Sequence, residues 1–123
     1  MNLPQIHGAL ANACLLFSLI IAGYGFLLYF RKAGVDSNYW GTLAAGELLF
    51  VAQGVLGIVL FATGLSAARM LVHALYGIVL VISIPGTYAL TRGRDTRREV
   101  LIYAIIGLFL AGITLRAMFT AAQ

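Results

Sequence analysis

Four apolar runs constrain this chain more than anything else in it, over residues 6–30, 41–64, 70–91 and 100–119. Each reaches the roughly 20 residues that a helix rising about 1.5 Å per residue needs to cross bilayer hydrocarbon. None shows the clean polar face of a water-soluble bundle helix. Hydrophobic residues make up 62% of the chain and charged ones only 10%, where a soluble domain is roughly half apolar and about a quarter charged. The sequence therefore predicts an all-α fold, an integral-membrane four-helix up-down bundle forming a single domain over residues 1–123, with the lipid bilayer as its first partner.

The first run is expected to be retained. No basic stretch precedes it, and it far exceeds the roughly 7–15 residues of a signal-peptide core. Cys14 lies near the start of that run, a poor position for a lipoprotein anchor. As the only cysteine it can form no disulfide within the chain and no CxxCH heme attachment. It reads as a small buried hydrophobe.

The net charge of +4 is distributed as a topological signal, not as a nucleic-acid footprint. Arg31 and Lys32 follow the first run, and Arg92, Arg94, Arg97 and Arg98 follow the third. In an up-down bundle those two loops share one side, while Arg69 and Arg116 lie towards the other. The bias of Lys and Arg to the cytoplasmic side predicts a multi-pass protein of the cell (inner) membrane with both termini outside. Tyr39 and Trp40 are expected in the inner aromatic belt. The loop TRGRDTRRE reads as a solvated, headgroup-facing surface.

Small residues mark close helix approaches in membranes. Helix 2 carries Gly41, Ala45, Gly46, Gly54, Gly57 and Gly64, so it is expected either to be packed inside protein along much of its length or to border something bulky. Gly107, Ala111 and Gly112 are the packing positions of helix 4. Pro85 removes a backbone donor and is expected to kink helix 3.

Only two histidines are present, His7 at the start of helix 1 and His73 one turn into helix 3. Helices 1 and 3 run parallel, and the two depths differ by about 7 Å at the helical rise, which tilt can absorb. Diagonal partners in a four-helix bundle can place ligands in a plane at its centre. Two neutral imidazoles facing across that plane satisfy bis-histidine heme iron. Ala11 and Cys14 follow His7, and Gly77 and Leu80 follow His73, supplying the small or apolar neighbours a porphyrin face needs. Arg69 and Arg116 are candidates to pair with heme propionates through the planar guanidinium fork. The simpler alternatives are two interfacial histidines, a loop charge at Arg69 and a snorkelling Arg116.

The stretch LLFVAQGVLGIVLFATGL at 48–65, with VHALYG at 72–77, resembles the heme A synthase family, where a Gln and a Leu-Gly pair in one helix precede a Val-His in the next. That family is built of two four-helix halves, each with a histidine at the outer end of its first and third helices. The resemblance covers one half, essentially this entire chain. It implies that His7 and His73 are axial ligands of a heme b near the outer face. The family's catalytic half carries a glutamate one turn before its first histidine, whereas Pro4 stands three positions before His7 and no carboxylate lies nearby. The resemblance is thus closer to the half that binds heme b without performing the oxidation.

Glu47, about two turns inside helix 2, is a functional candidate because an ionisable group within a membrane is costly. It would relay protons, bind an inner-loop arginine, pack near Tyr103 or reach the interface. Gln53 is expected to hydrogen-bond to another helix. Three functions follow. The first is a b-type heme protein in electron transfer, working with a quinone or as a subunit of a larger membrane redox complex. Next is a cofactor-free accessory subunit of such a complex. The third is a small dimeric transporter using Glu47, in which a second copy of the chain would be a partner.

Overall fold

The computed structural model describes residues 2–64 and 70–122, with the side chains of 120–122 left out. Four helices follow one another: α1 (Leu3–Phe30), α2 (Ser37–Ala62), α3 (Met70–Leu90) and α4 (Arg97–Ala122). All four are long and apolar enough to cross a membrane, and no strand occurs among the described residues. Only 17% to 39% of each apolar window is buried inside the protein. Leu48, Ile58, Leu71 and Leu90 stand outward among many others, an apolar exterior that water would penalise and lipid would not. The chain is an all-α, multi-pass membrane bundle.

Consecutive helices pack on one another and α4 closes back on α1, while no backbone of α1 approaches that of α3 among the described residues, so these two are diagonal. The α1–α4 seam is the most extensive and the α2–α3 seam the thinnest. Close approach explains the first. A Cβ on Gly107 would fall 2.7 Å from the Ala22 backbone nitrogen, and one on Gly25 would fall 2.9 Å from Ala104 Cβ. Of the glycines of α2, Gly46 is buried, where a Cβ would fall 3.0 Å from Ile21 Cδ1, and the others play a different part. Gly41 has open space where a Cβ would be, Gly54 and Gly57 border a cavity, and much of the helix faces outward. On α4, Gly107 and Ala111 are packed, but Gly112 meets nothing.

Helix ends extend beyond the apolar runs because polar caps carry them. Asn2 accepts from the Gln5 amide while the Gln5 side chain accepts from the Asn2 amide, a capping box that starts α1 at Leu3. Asp36 accepts from the Tyr39 amide at 2.7 Å and starts α2 at Ser37. The α3 helix runs through Pro85 as one element. Ser83, Thr87 and Thr91 donate to the carbonyls four residues back, so these hydroxyls need no water.

The end bearing residues 31–36 and 91–96 is tightly knit. Val35 donates its amide to the Asp95 carbonyl at 2.8 Å. Arg97 lies 4.1 Å from the Tyr29 ring centroid and donates to the Tyr29 carbonyl. Arg94 and Arg98 reach Glu99 at 3.7 and 3.3 Å, and Thr96 donates to the same carboxylate. Glu99 is 1% exposed, so these arginines neutralise a buried acid, a role beyond the solvated surface expected of them. Tyr39 is also a correction. It is fully buried, donates to the Ile21 carbonyl at 2.7 Å and stacks edge-on against Tyr24 and Tyr103, so it belongs to the core and not to an aromatic belt.

Candidate functional site

The opposite half of the bundle is hollow. A cavity of about 1190 Å³ occupies it, lined by all four helices and mostly by apolar side chains. That exceeds the roughly 300–1,000 Å³ of ordinary small-molecule pockets. Its walls include Ala11 and Cys14 of α1, Gly54 and Gly57 of α2, Gly77 and Leu80 of α3, and Thr114 and Ala117 of α4. Space exists because small residues stand where larger ones would meet. A Cβ on Gly8 or Gly77 would have nothing within 4 Å. Val55, Ile58, Ala74 and Ile78 line the cavity yet are exposed, so it opens sideways through the thin α2–α3 seam.

Both histidines face this space from diagonal helices. Their ring centroids are 6.2 Å apart with 65° between planes. The His73 Nδ1 lies 3.1 Å from the Ala117 carbonyl oxygen. A carbonyl can only accept, so Nδ1 carries the proton, and in the neutral ring Nε2 carries the lone pair. The His7 backbone is held by Gln53, whose side-chain amide donates to the His7 carbonyl at 2.8 Å. This is the expected contact of Gln53 with another helix. The His7 Nδ1 and Gln53 Oε1 are buried and lack hydrogen-bond partners, which is costly in an apolar interior. A Cβ on Gly57 would meet His7 Cε1 at 3.5 Å, so the α2 backbone runs against the imidazole.

Of the residues singled out from the sequence, His7, His73, Ala11 and Gly77 share this cavity. Cys14 is buried with its thiol towards the Leu49 carbonyl. Arg116 is exposed and outside the lining, one position before Ala117. Arg69 lies outside the described residues. No group of three or more His, Cys, Asp or Glu that could hold a metal ion occurs among the described residues.

Glu47 belongs to a second, smaller cavity of about 320 Å³ between α2 and α3, nearer the basic loops. Tyr103 lines it too, in keeping with the expected neighbourhood. The Tyr103 hydroxyl and Glu47 Oε1 are both buried without partners. The sequence suggests Tyr103 as a neighbour of Glu47 but carries no signal for its unpartnered hydroxyl, because an orphan polar atom is defined only once neighbours are placed. No family model, curated protein or solved structure matches the chain.

Proposed function

We propose that this chain is a membrane protein that binds a b-type heme between His7 and His73 and acts in electron transfer, alone or within a larger membrane redox complex. The separation of the two rings carries the reading. Imidazoles on opposite sides of one metal, at about 2.0 Å per metal–nitrogen bond, have centroids about 6 Å apart, and those of His7 and His73 stand at 6.2 Å. Two imidazoles fill only two positions of a metal's coordination shell. They suit a metal that arrives with its own equatorial ligands, and the surrounding apolar cavity has room for a macrocycle.

The side chains divide the work. His73, held at Nδ1 by a backbone carbonyl, would hold the metal through its other ring nitrogen, in the manner of a metal-bound histidine with an outer partner. His7 is placed from the opposite helix, its backbone anchored by Gln53. Ala11, Gly77 and Leu80 keep the space apolar and exclude water, which shapes redox potential. When bound, the heme supplies one-electron exchange between ferric and ferrous iron. Arg116 and Arg69 are the guanidinium candidates for its carboxylate arms. The likeness of 48–77 to the heme b-binding half of heme A synthases points the same way. By the basic-loop rule, loops 31–36 and 91–96 lie inside and the heme end outside.

Titrating the purified, heme-free chain with hemin tests the reading. The expected outcome is saturation at one equivalent with a sharp low-spin spectrum, lost in His7→Ala and His73→Ala protein. Unsaturable binding, unchanged by either substitution, would contradict it.

A further inference from the structure

The smaller cavity is built from one face of α2, one face of α3 and a single residue of α4. Its polar equipment is unusual for a space inside a membrane. The Glu47 carboxylate and the Tyr103 phenol both line it, each with a buried oxygen that makes no well-formed hydrogen bond within the protein. Tyr103 is 0% exposed. The Thr91 hydroxyl is the phenol's polar neighbour, but its single proton goes to the Thr87 carbonyl at 2.7 Å, so it does not donate to the phenol oxygen. Leaving such groups unpartnered in a lipid-embedded protein is expensive, and a ligand that pairs with both removes the cost.

The rest of the lining is apolar and aromatic. Trp40 stands edge-on to Tyr88 at 5.7 Å and to Tyr103 at 5.8 Å, a nook for a flat ring. Ala44, Pro85 and Tyr88 line the cavity and are exposed, so its mouth faces the side where lipid would be. About 320 Å³ is the size of one small ring system with its substituents.

We propose that this cavity binds the head group of a lipid-soluble quinone or quinol, its oxygens paired with the Tyr103 hydroxyl and the Glu47 carboxyl and its tail leaving through the α2–α3 mouth. A quinone oxygen accepts from the phenol. A protonated Glu47 carboxyl donates to the other quinone oxygen, and the ionised carboxylate accepts from a quinol hydroxyl, so each redox form engages both residues with the matching protonation state of Glu47. A lipophilic cation would satisfy Glu47 and leave the phenol orphaned, which is why the quinone class is favoured. The site does not depend on heme; it gives the proposed electron carrier a diffusible partner, and the two readings fail separately.

Trp40 is the only tryptophan, so its emission reports on this cavity. A short-tailed quinone added to the detergent-solubilised chain should quench it saturably. Glu47→Leu and Tyr103→Phe should each weaken binding about tenfold, the effect of one lost hydrogen bond to a polar ligand. Ala44→Phe, which fills the mouth and leaves both polar groups in place, should abolish saturation even if the other variants fold poorly. The titration is repeated on His73→Ala protein, where the same quenching is expected. Quenching linear in quinone and equal in all variants would mean partition into detergent only and would overturn the site. So would saturable quenching by tetraphenylphosphonium with none by quinone.

Discussion

The tautomer of His73 is set by a neighbour that no side-chain substitution can remove, the Ala117 carbonyl 3.1 Å from Nδ1. Gly77 sits one turn further along the same face and lines the same cavity, with open space where its Cβ would be. These two residues make different predictions. His73→Ala removes a ligand and leaves the volume. Gly77→Leu keeps both histidines and fills the volume; because a leucine there meets no protein atom at Cβ and favours helix by about 1 kcal/mol over glycine, the protein should fold at least as stably while losing hemin binding more than tenfold. Thermal unfolding and hemin titration on the same preparation check both halves. Unimpaired binding in Gly77→Leu protein would show that the cavity is not the heme site.

At the scale of helices, two seams do opposite work. The α1–α4 seam is a close contact resting on Gly25 and Gly107, whereas the α2–α3 seam stays thin and borders both cavities. Gly107→Leu should cost about 1–3 kcal/mol, the usual penalty of overpacking, and lower the thermal midpoint. Gly112→Leu on the same helix faces open space and should change little. Asp36→Ala removes the cap of α2 and the oxygens that Tyr24 reaches at 3.2 and 3.3 Å. A loss of about 1 kcal/mol is expected, read in the same unfolding assay. Much of this level is local and therefore legible in the sequence. Run length and hydropathy identify four helices. Their ends depend on caps such as Asn2 and Asp36, which fall outside any apolar run, so apolar content places α1 and α2 a few residues short. Which glycines pack is a property of pairs of helices. The glycine-rich α2 reads either as packed in protein or as bordering something bulky; Gly54 and Gly57 border a cavity, and the closest helix–helix approaches belong to Gly25 and Gly107.

As a whole, the molecule is closed at one end and hollow at the other. Glu99 with Arg94 and Arg98, Arg97 on Tyr29, and Val35 on Asp95 fasten the basic end, so the two histidines are held by a bundle braced at the far side. Their meeting across the diagonal follows from up-down topology and is readable from the chain. The orphaned Tyr103 hydroxyl and the burial of Tyr39 are not, since each depends on what three helices bring to one place. Orientation is testable at this scale. In a Cys14→Ala background, Arg31→Cys should react with a membrane-impermeant maleimide only after cells are permeabilised; labelling of intact cells would reverse the topology. The central claim is a heme held by two histidines, and the pyridine hemochrome of the chain purified from heme-replete cells tests it most directly. The account predicts about one heme b per chain, absent from folded His7→Ala and His73→Ala protein. A monodisperse wild-type preparation without heme, or heme content indifferent to both histidines, would contradict it.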